Sequence, residues 1–114
     1  MPKANVYQGK RTAAGNVVTV NGQYLNARLD IYAHSPTGFE WGYGGSGPAQ
    51  LALAILAHEY GDEFAQRYYQ DFKWAVVSRL PRRAWNLTSE QIDAAMQQIF
   101  AQHEWQHGLS AVIV

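Results

Sequence analysis

The chain has 114 residues, enough for one domain, and 47% of them are hydrophobic and 13% aromatic, so an ordinary, aromatic-rich core is expected. Nine basic and nine acidic side chains give a formal charge of zero, which argues against bulk nucleic acid or an anionic membrane as partner. The absence of cysteine excludes disulfides, iron–sulfur clusters and thiolate zinc sites. It also fits a reducing compartment. No apolar h-region follows Met1, and the longest apolar run, Leu51 to Ala57, is too short to span a bilayer, so the expected location is cytoplasmic.

The first third reads as β. Asn5 to Gln8 is a short strand candidate and Gly9-Lys10 a turn. Val17-Val18-Thr19-Val20 is β-branched and is followed by Asn21-Gly22, a hairpin signal because both residues tolerate positive φ, with Gln23-Tyr24-Leu25 as the return strand. Asn26 to Asp30 reads as a turn, Ile31-Tyr32 as extended, and His34 to Gly38 as a loop. Phe39-Glu40-Trp41-Gly42-Tyr43 alternates as a half-buried strand does, with its aromatics on one face.

The remainder reads as helix. Pro48 suits the first helical position. The run Leu51 to Ala57 is apolar all round, so a helix over 48–60 is expected to be central and buried, stopping at Gly61. Asp62 then caps a second helix to Leu80, with Ala65, Tyr69, Phe72, Val76 and Leu80 as its stripe and Pro81 as its stop. Trp85-Asn86-Leu87 reads as a connector. Thr88 with Gln91 forms a capping box for a third helix, whose core face is Ile92, Ala95, Met96, Ile99 and Phe100. Gly108 is the expected stop, and Ala111 to Val114 an apolar tail free to add a strand, dock on the domain or contact a partner.

Three patterns carry candidate chemistry. Gly42-Tyr43-Gly44-Gly45-Ser46-Gly47 matches the dinucleotide fingerprint, but the helix after it leads to another helix, so the βαβ context fails. A simpler anion site survives at the amides of residues 44–47, with those of Ala49 and Gln50 behind them, at a helix N-terminus. The structural alternative is that the glycines let the chain turn sharply and the helix pack closely. His103-Glu104-Trp105-Gln106-His107 matches the zincin motif, yet no third ligand follows His107. His58-Glu59 and Asp62-Glu63 read as solubility and capping. Ser46 sits outside any nucleophile elbow and reads as a hydrogen-bond donor or cap. Tyr7, Trp41, Tyr43, Trp74 and Trp85 are candidates for a stacking surface, though an aromatic core also explains them. Arg79, Arg82 and Arg83 form only a small basic patch.

The sequence resembles a family of small bacterial and bacteriophage proteins catalogued as a domain of unknown function. The residues that carry the resemblance are Tyr7-x-Gly9-x-Arg11, Val17 to Leu25, the block His34 to Ala52, Phe72-Lys73 and Leu80-Pro81, over about residues 6 to 97. The resemblance implies no reaction, ligand or catalytic residue. Its occurrence in phages and mobile elements implies an accessory role in host–phage conflict. Residues 98–114 lie outside it.

The expected fold is a single α+β domain over 1–114, with an N-terminal antiparallel sheet against three helices. The expected function is a non-enzymatic binding protein with an anion or nucleotide site at the glycine-rich turn. Its ligand-binding residues are Arg11, Glu40, Trp41, Tyr43, Gly44, Gly45, Ser46 and Gly47, with Arg28 as a further source of charge. The partner is a phosphorylated small molecule or a protein, and a homo-oligomer is compatible. No cofactor, no catalytic residue and no metal site are expected. The alternatives are a protein–protein inhibitor or adaptor and, remotely, a zinc hydrolase through His103, Glu104 and His107.

Overall fold

In a computed structural model the expected hairpin closes at Asn21-Gly22, with φ of 52° and 82° at the two residues. The structure describes the backbone of residues 3–113 and the side chains of residues 3–103. Strands β1 (Val6–Thr12), β2 (Gly15–Val20), β3 (Gln23–Tyr24) and β4 (Ala84–Thr88) form one antiparallel sheet in the order β3-β2-β1-β4. The helices are α1 (Ser46–Tyr60), α2 (Asp62–Ala75) and α3 (Ser89–Ile113). The result is an α+β fold, a four-stranded antiparallel sheet packed with three helices.

Side-chain alternation decides which face of the sheet is covered. Tyr7, Val18, Val20, Trp85 and Leu87 point into the core, while Gln8, Lys10, Tyr24 and Asn86 point out. Helix α1 is the centre of that core. Every residue from Gly47 to Ala57 is buried, which is why its sequence carries no stripe. Each of Leu51, Leu53, Ile55 and Leu56 is fully buried and contributes about 1.5–3 kcal/mol by removal from water.

Three strand assignments differ from expectation. Gly9 is not a turn: β1 runs straight through it, pairing Gly9 with Val18 on one side and Trp85 on the other. A Cβ at Gly9 would lie 2.3 Å from the Trp85 indole, so glycine is there to let the ring cross the strand. The segment Trp85-Asn86-Leu87 is not a connector but the middle of β4, which pairs with β1 from Val6↔Thr88 to Lys10↔Ala84.

The segment Phe39–Tyr43 is not a strand either. It is tied down by cross-links instead of a ladder. Asn16 Nδ2 donates to the Phe39 carbonyl at 3.0 Å, the Trp41 indole N–H to the Arg82 carbonyl at 3.0 Å, and the Gly42 N–H to the Val77 carbonyl at 3.0 Å.

Helix boundaries shift too. Helix α2 stops at Ala75, and a 3-10 turn over Val77–Arg79 leads to an extended Leu80 (ψ 143°). The residue before a proline is pushed out of the helical region, which accounts for Leu80. Asp62 is the first residue of α2 and Gly61 its N-cap; the Asp62 carboxylate binds Arg28 instead of capping. The capping box of α3 is present in both directions. Gln91 N–H donates to Thr88 Oγ1 at 3.2 Å, and Thr88 N–H to Gln91 Oε1 at 3.0 Å. Helix α3 continues through Gly108 to Ile113, so the expected stop is not used. The side chains of the apolar tail lie outside the described residues. No described helix is long and apolar enough to cross a membrane.

Adding a methyl group at Gly9 forces overpacking against Trp85. Gly9→Ala is expected to destabilise the fold by about 1–3 kcal/mol in urea unfolding. An unchanged midpoint would show that the Trp85 ring can move aside.

Candidate functional site

The first part of the long connection between β3 and α1, from Ala27 to Ser35, is gathered by one side chain. Gln50 on α1 is fully buried, and its amide makes four hydrogen bonds. Oε1 accepts from the His34 and Ser35 N–H groups at 2.7 and 3.0 Å, and Nε2 donates to the Ala27 and Tyr32 carbonyls at 2.6 and 3.0 Å. This sets the His34 ring beside α2. Its Nε2 lies 2.7 Å from the Tyr69 hydroxyl, and Tyr32 stacks on its face at 4.0 Å.

The glycine-rich turn follows, and most of its glycines have a packing reason. Gly42 has φ of 87°. A Cβ on Gly44 would meet the Trp74 indole at 2.2 Å, and one on Gly47 would meet Glu40 Cβ at 2.5 Å. Gly45, the N-cap of α1, is extended, and a Cβ there would have only the Tyr43 ring nearby, at 3.0 Å. Among the amides expected to face a ligand, that of Ala49 already donates to the Gly45 carbonyl at 2.9 Å. Those of Ser46 and Gly47 have no partner among the described residues.

The structure divides the expected ligand-binding residues. Tyr43 and Ser46 lie beside the turn, and Tyr43 is 48% exposed. Trp41 is fully buried, edge-on to Trp85, and is not open to stacking. Arg11 is committed internally. Its Nη2 pairs with Glu40 Oε1 at 2.9 Å, its Nε donates to the Arg82 carbonyl at 2.7 Å, its Nη1 donates to Asn16 at 3.1 Å, and its guanidinium lies over Trp41. Glu40 is the other half of that ion pair, and the Arg11 guanidinium holds its carboxyl below the usual range. Arg28 is equally occupied, forked onto Asp30 and Asp62 at 2.8–3.0 Å.

One cation beside the turn, Lys73, is not among the candidate site residues read from the sequence, and Arg82, whose side chain packs against Gly42, is another without an ion pair among the described residues. Lys73 is 8% exposed, and no carboxylate or hydrogen-bond acceptor among the described residues pairs with its ammonium. That ammonium lies over the Trp74 ring, 4.5 Å from its centroid, and Trp74 is the residue seated on Gly44. Burial, and then the Lys73 charge, push the His34 pKa down. Lys73, His34, Tyr69 and Trp74 therefore share one patch with the glycine-rich turn. The available signal was positional: Lys73 follows Tyr69 by four residues and precedes Val76 by three, on the apolar stripe of α2.

A second polar cluster corrects the reading of His58-Glu59 as solubility and capping. Glu59 is 1% exposed and accepts from the Tyr7 hydroxyl at 2.7 Å and from Asn5 Nδ2 at 3.0 Å, both on Oε1. With its proton committed to Glu59, the Tyr7 hydroxyl can only accept from His58 Nδ1, 3.0 Å away. Burial, with the Glu59 carboxylate, pushes the Tyr7 pKa up, so the phenol stays a donor. This cluster locks β1 to the end of α1. His103 lies 3.5 Å from Asp71, and no set of three or more metal-ligating side chains occurs among the described residues. The side chains of Glu104 and His107 lie outside them. A recess of about 770 Å³ runs over the uncovered face of the sheet along Gln8, Lys10, Thr19, Tyr24 and Asn86, and none of the turn residues lines it.

Fold and site define a small α+β domain in which an open-faced antiparallel sheet backs a buried helix entered through a glycine-rich turn. The chain belongs to DUF6166, a family of unknown function, whose model matches residues 7–98. No curated protein and no solved structure matches it.

Two outcomes are expected here. Gln50→Leu keeps the volume but removes the partner of four part-buried backbone groups, so it should cost about 3 kcal/mol in urea unfolding and accelerate amide exchange at His34 and Ser35. Lys73→Met removes a positive charge facing His34, so the His34 pKa should rise in an NMR titration. A fixed value would place the ammonium elsewhere.

Proposed function

We propose that this chain is a non-enzymatic binding protein that takes an anionic group at the glycine-rich turn and the start of α1. The observation that carries this reading is Lys73, a nearly buried lysine with no acidic partner among the described residues, held on Trp74 beside Gly44. The stem of Lys73 is buried while its ammonium carries no acidic partner among the described residues, which leaves that charge available to an anion. The cation–π contact with Trp74 holds the ammonium in place, at about 0.5–2 kcal/mol. An anion would complete the pairing. The amides of Ser46 and Gly47, unpartnered among the described residues, and the positive end of α1 favour the same charge. Arg11, Glu40 and Trp41 then belong to the scaffold, while Tyr43, Gly44, Gly45, Ser46 and Gly47 stay with the site. The ligand is a phosphorylated small molecule or an acidic group on a protein partner.

The protein–protein reading has its own support in four exposed aromatics, Tyr24, Tyr32, Tyr43 and Trp74. An accessory role in host–phage conflict fits either reading and rests on the family resemblance alone.

Pyrophosphate titrated calorimetrically into the full chain tests the anion reading. Lys73→Met is expected to weaken binding at least about tenfold, the order of one charge-assisted contact. Gly45→Val, whose backbone suits any residue, is expected to fold and to block the turn. Unchanged affinity in both folded variants would remove the site from the turn.

A further inference from the structure

We propose that the ligand of this site is a nucleoside 5′-phosphate, its phosphate against the Lys73 ammonium and the α1 amides and its base on the Trp74 ring; this rests on the anion reading above. The argument begins with Trp74. It is 59% exposed, yet it is not a loose surface ring. Its six-membered edge sits where a side chain on residue 44 would be, with Cη2, Cζ3 and Cζ2 at 2.2, 2.4 and 2.9 Å from that Cβ position. Gly44 thus gives up a side chain to hold an aromatic plane at the surface. The Lys73 ammonium occupies one face of that plane. A tryptophan kept exposed and fixed in orientation is a platform for a second flat ring, since bases stack on aromatic side chains without regard to sequence.

The two halves of the patch ask for a bifunctional ligand. A simple anion needs Lys73 and the amides but gains nothing from an exposed indole. A purely apolar peptide side chain would use Trp74 and leave the ammonium unpaired. A phosphate joined to a planar heterocycle satisfies both. Tyr43, whose ring lies over Gly45, supplies a second exposed ring at the rim. His34 contributes packing instead of charge: its Nε2 is engaged by Tyr69 and its ring is covered by Tyr32.

The test compares five probes against the full chain by calorimetry and tryptophan fluorescence: adenosine 5′-monophosphate, ribose 5-phosphate, adenosine, phenyl phosphate and pyrophosphate. The nucleotide is expected to bind at least about fivefold more tightly than ribose 5-phosphate or adenosine, the lower end of one base–aromatic stack. Trp74→Ala should erase the advantage over ribose 5-phosphate while keeping the sugar phosphate bound, and Trp74→Phe should restore part of it. Circular dichroism checks that both variants fold. Ribose 5-phosphate binding as tightly as the nucleotide overturns the stacked base and leaves the anion reading standing. Phenyl phosphate binding as tightly as the nucleotide overturns the nucleotide in favour of a phosphorylated aromatic side chain. Failure of every phosphorylated probe removes the anion reading itself, and this inference with it.

Discussion

One buried amide governs the half of the molecule where the candidate site lies. The connection from Leu25 to Gly45 has no regular secondary structure, so its backbone groups need partners from elsewhere. Gln50 supplies four of them from inside α1. An amide side chain suits the task because it presents two donors and two acceptor lone pairs on one rigid plane. Leucine at this position would pack equally well and organise nothing. The loop is thereby referenced to the most buried helix of the fold, and His34 and Tyr32 inherit that placement.

The second constraint is how charge is distributed. A net charge of zero says little about any one site, because attraction is decided by which cations are left unpaired. Two arginines near the turn and the β3–α1 connection are consumed by the fold. Arg11 bridges β1 to the segment before α1 through Glu40 and backbone carbonyls, and Arg28 ties its loop to the start of α2 through Asp62. A planar guanidinium with several donors is suited to such cross-linking. Lys73 carries a compact charge on a flexible stem and makes no comparable network among the described residues. Its stem is buried while its charge lies on Trp74.

Local signals are legible in the sequence wherever the cause is local. Asn21-Gly22 needs positive φ and adopts it. Thr88 and Gln91 satisfy each other's N–H groups within four residues. The all-apolar run of α1 is buried on every side. Features that depend on distant partners are not legible. β4 is five residues long and finds its partner, β1, across nearly the whole chain, so its Trp-x-Leu alternation reads as a connector. Gly9 reads as a turn because its reason is the Trp85 ring, far off in sequence. Glu59 reads as surface because Tyr7 and Asn5, which make its burial tolerable, lie at the other end of the domain. Phe39 to Tyr43 shows the reverse error: real alternation at Phe39 and Trp41, but no neighbouring strand to pair with.

The glycine-rich turn shows why composition alone is a weak sign of ligand binding. Gly42 is required by its backbone conformation, Gly44 by the Trp74 ring and Gly47 by Glu40. Three of the four glycines are therefore explained without a ligand. Gly45 is different. Its φ is open to any residue, and its one close neighbour is an exposed tyrosine ring that can swing away. Packing leaves a side chain there tolerable, so the fold gives no reason for a bare backbone at the position where the first amides of α1 begin. In the proposed anion reading, a bare backbone at that point lets a group approach those amides from outside. That makes Gly45, more than the glycine-rich pattern as a whole, the residue whose identity separates a packing turn from a binding turn.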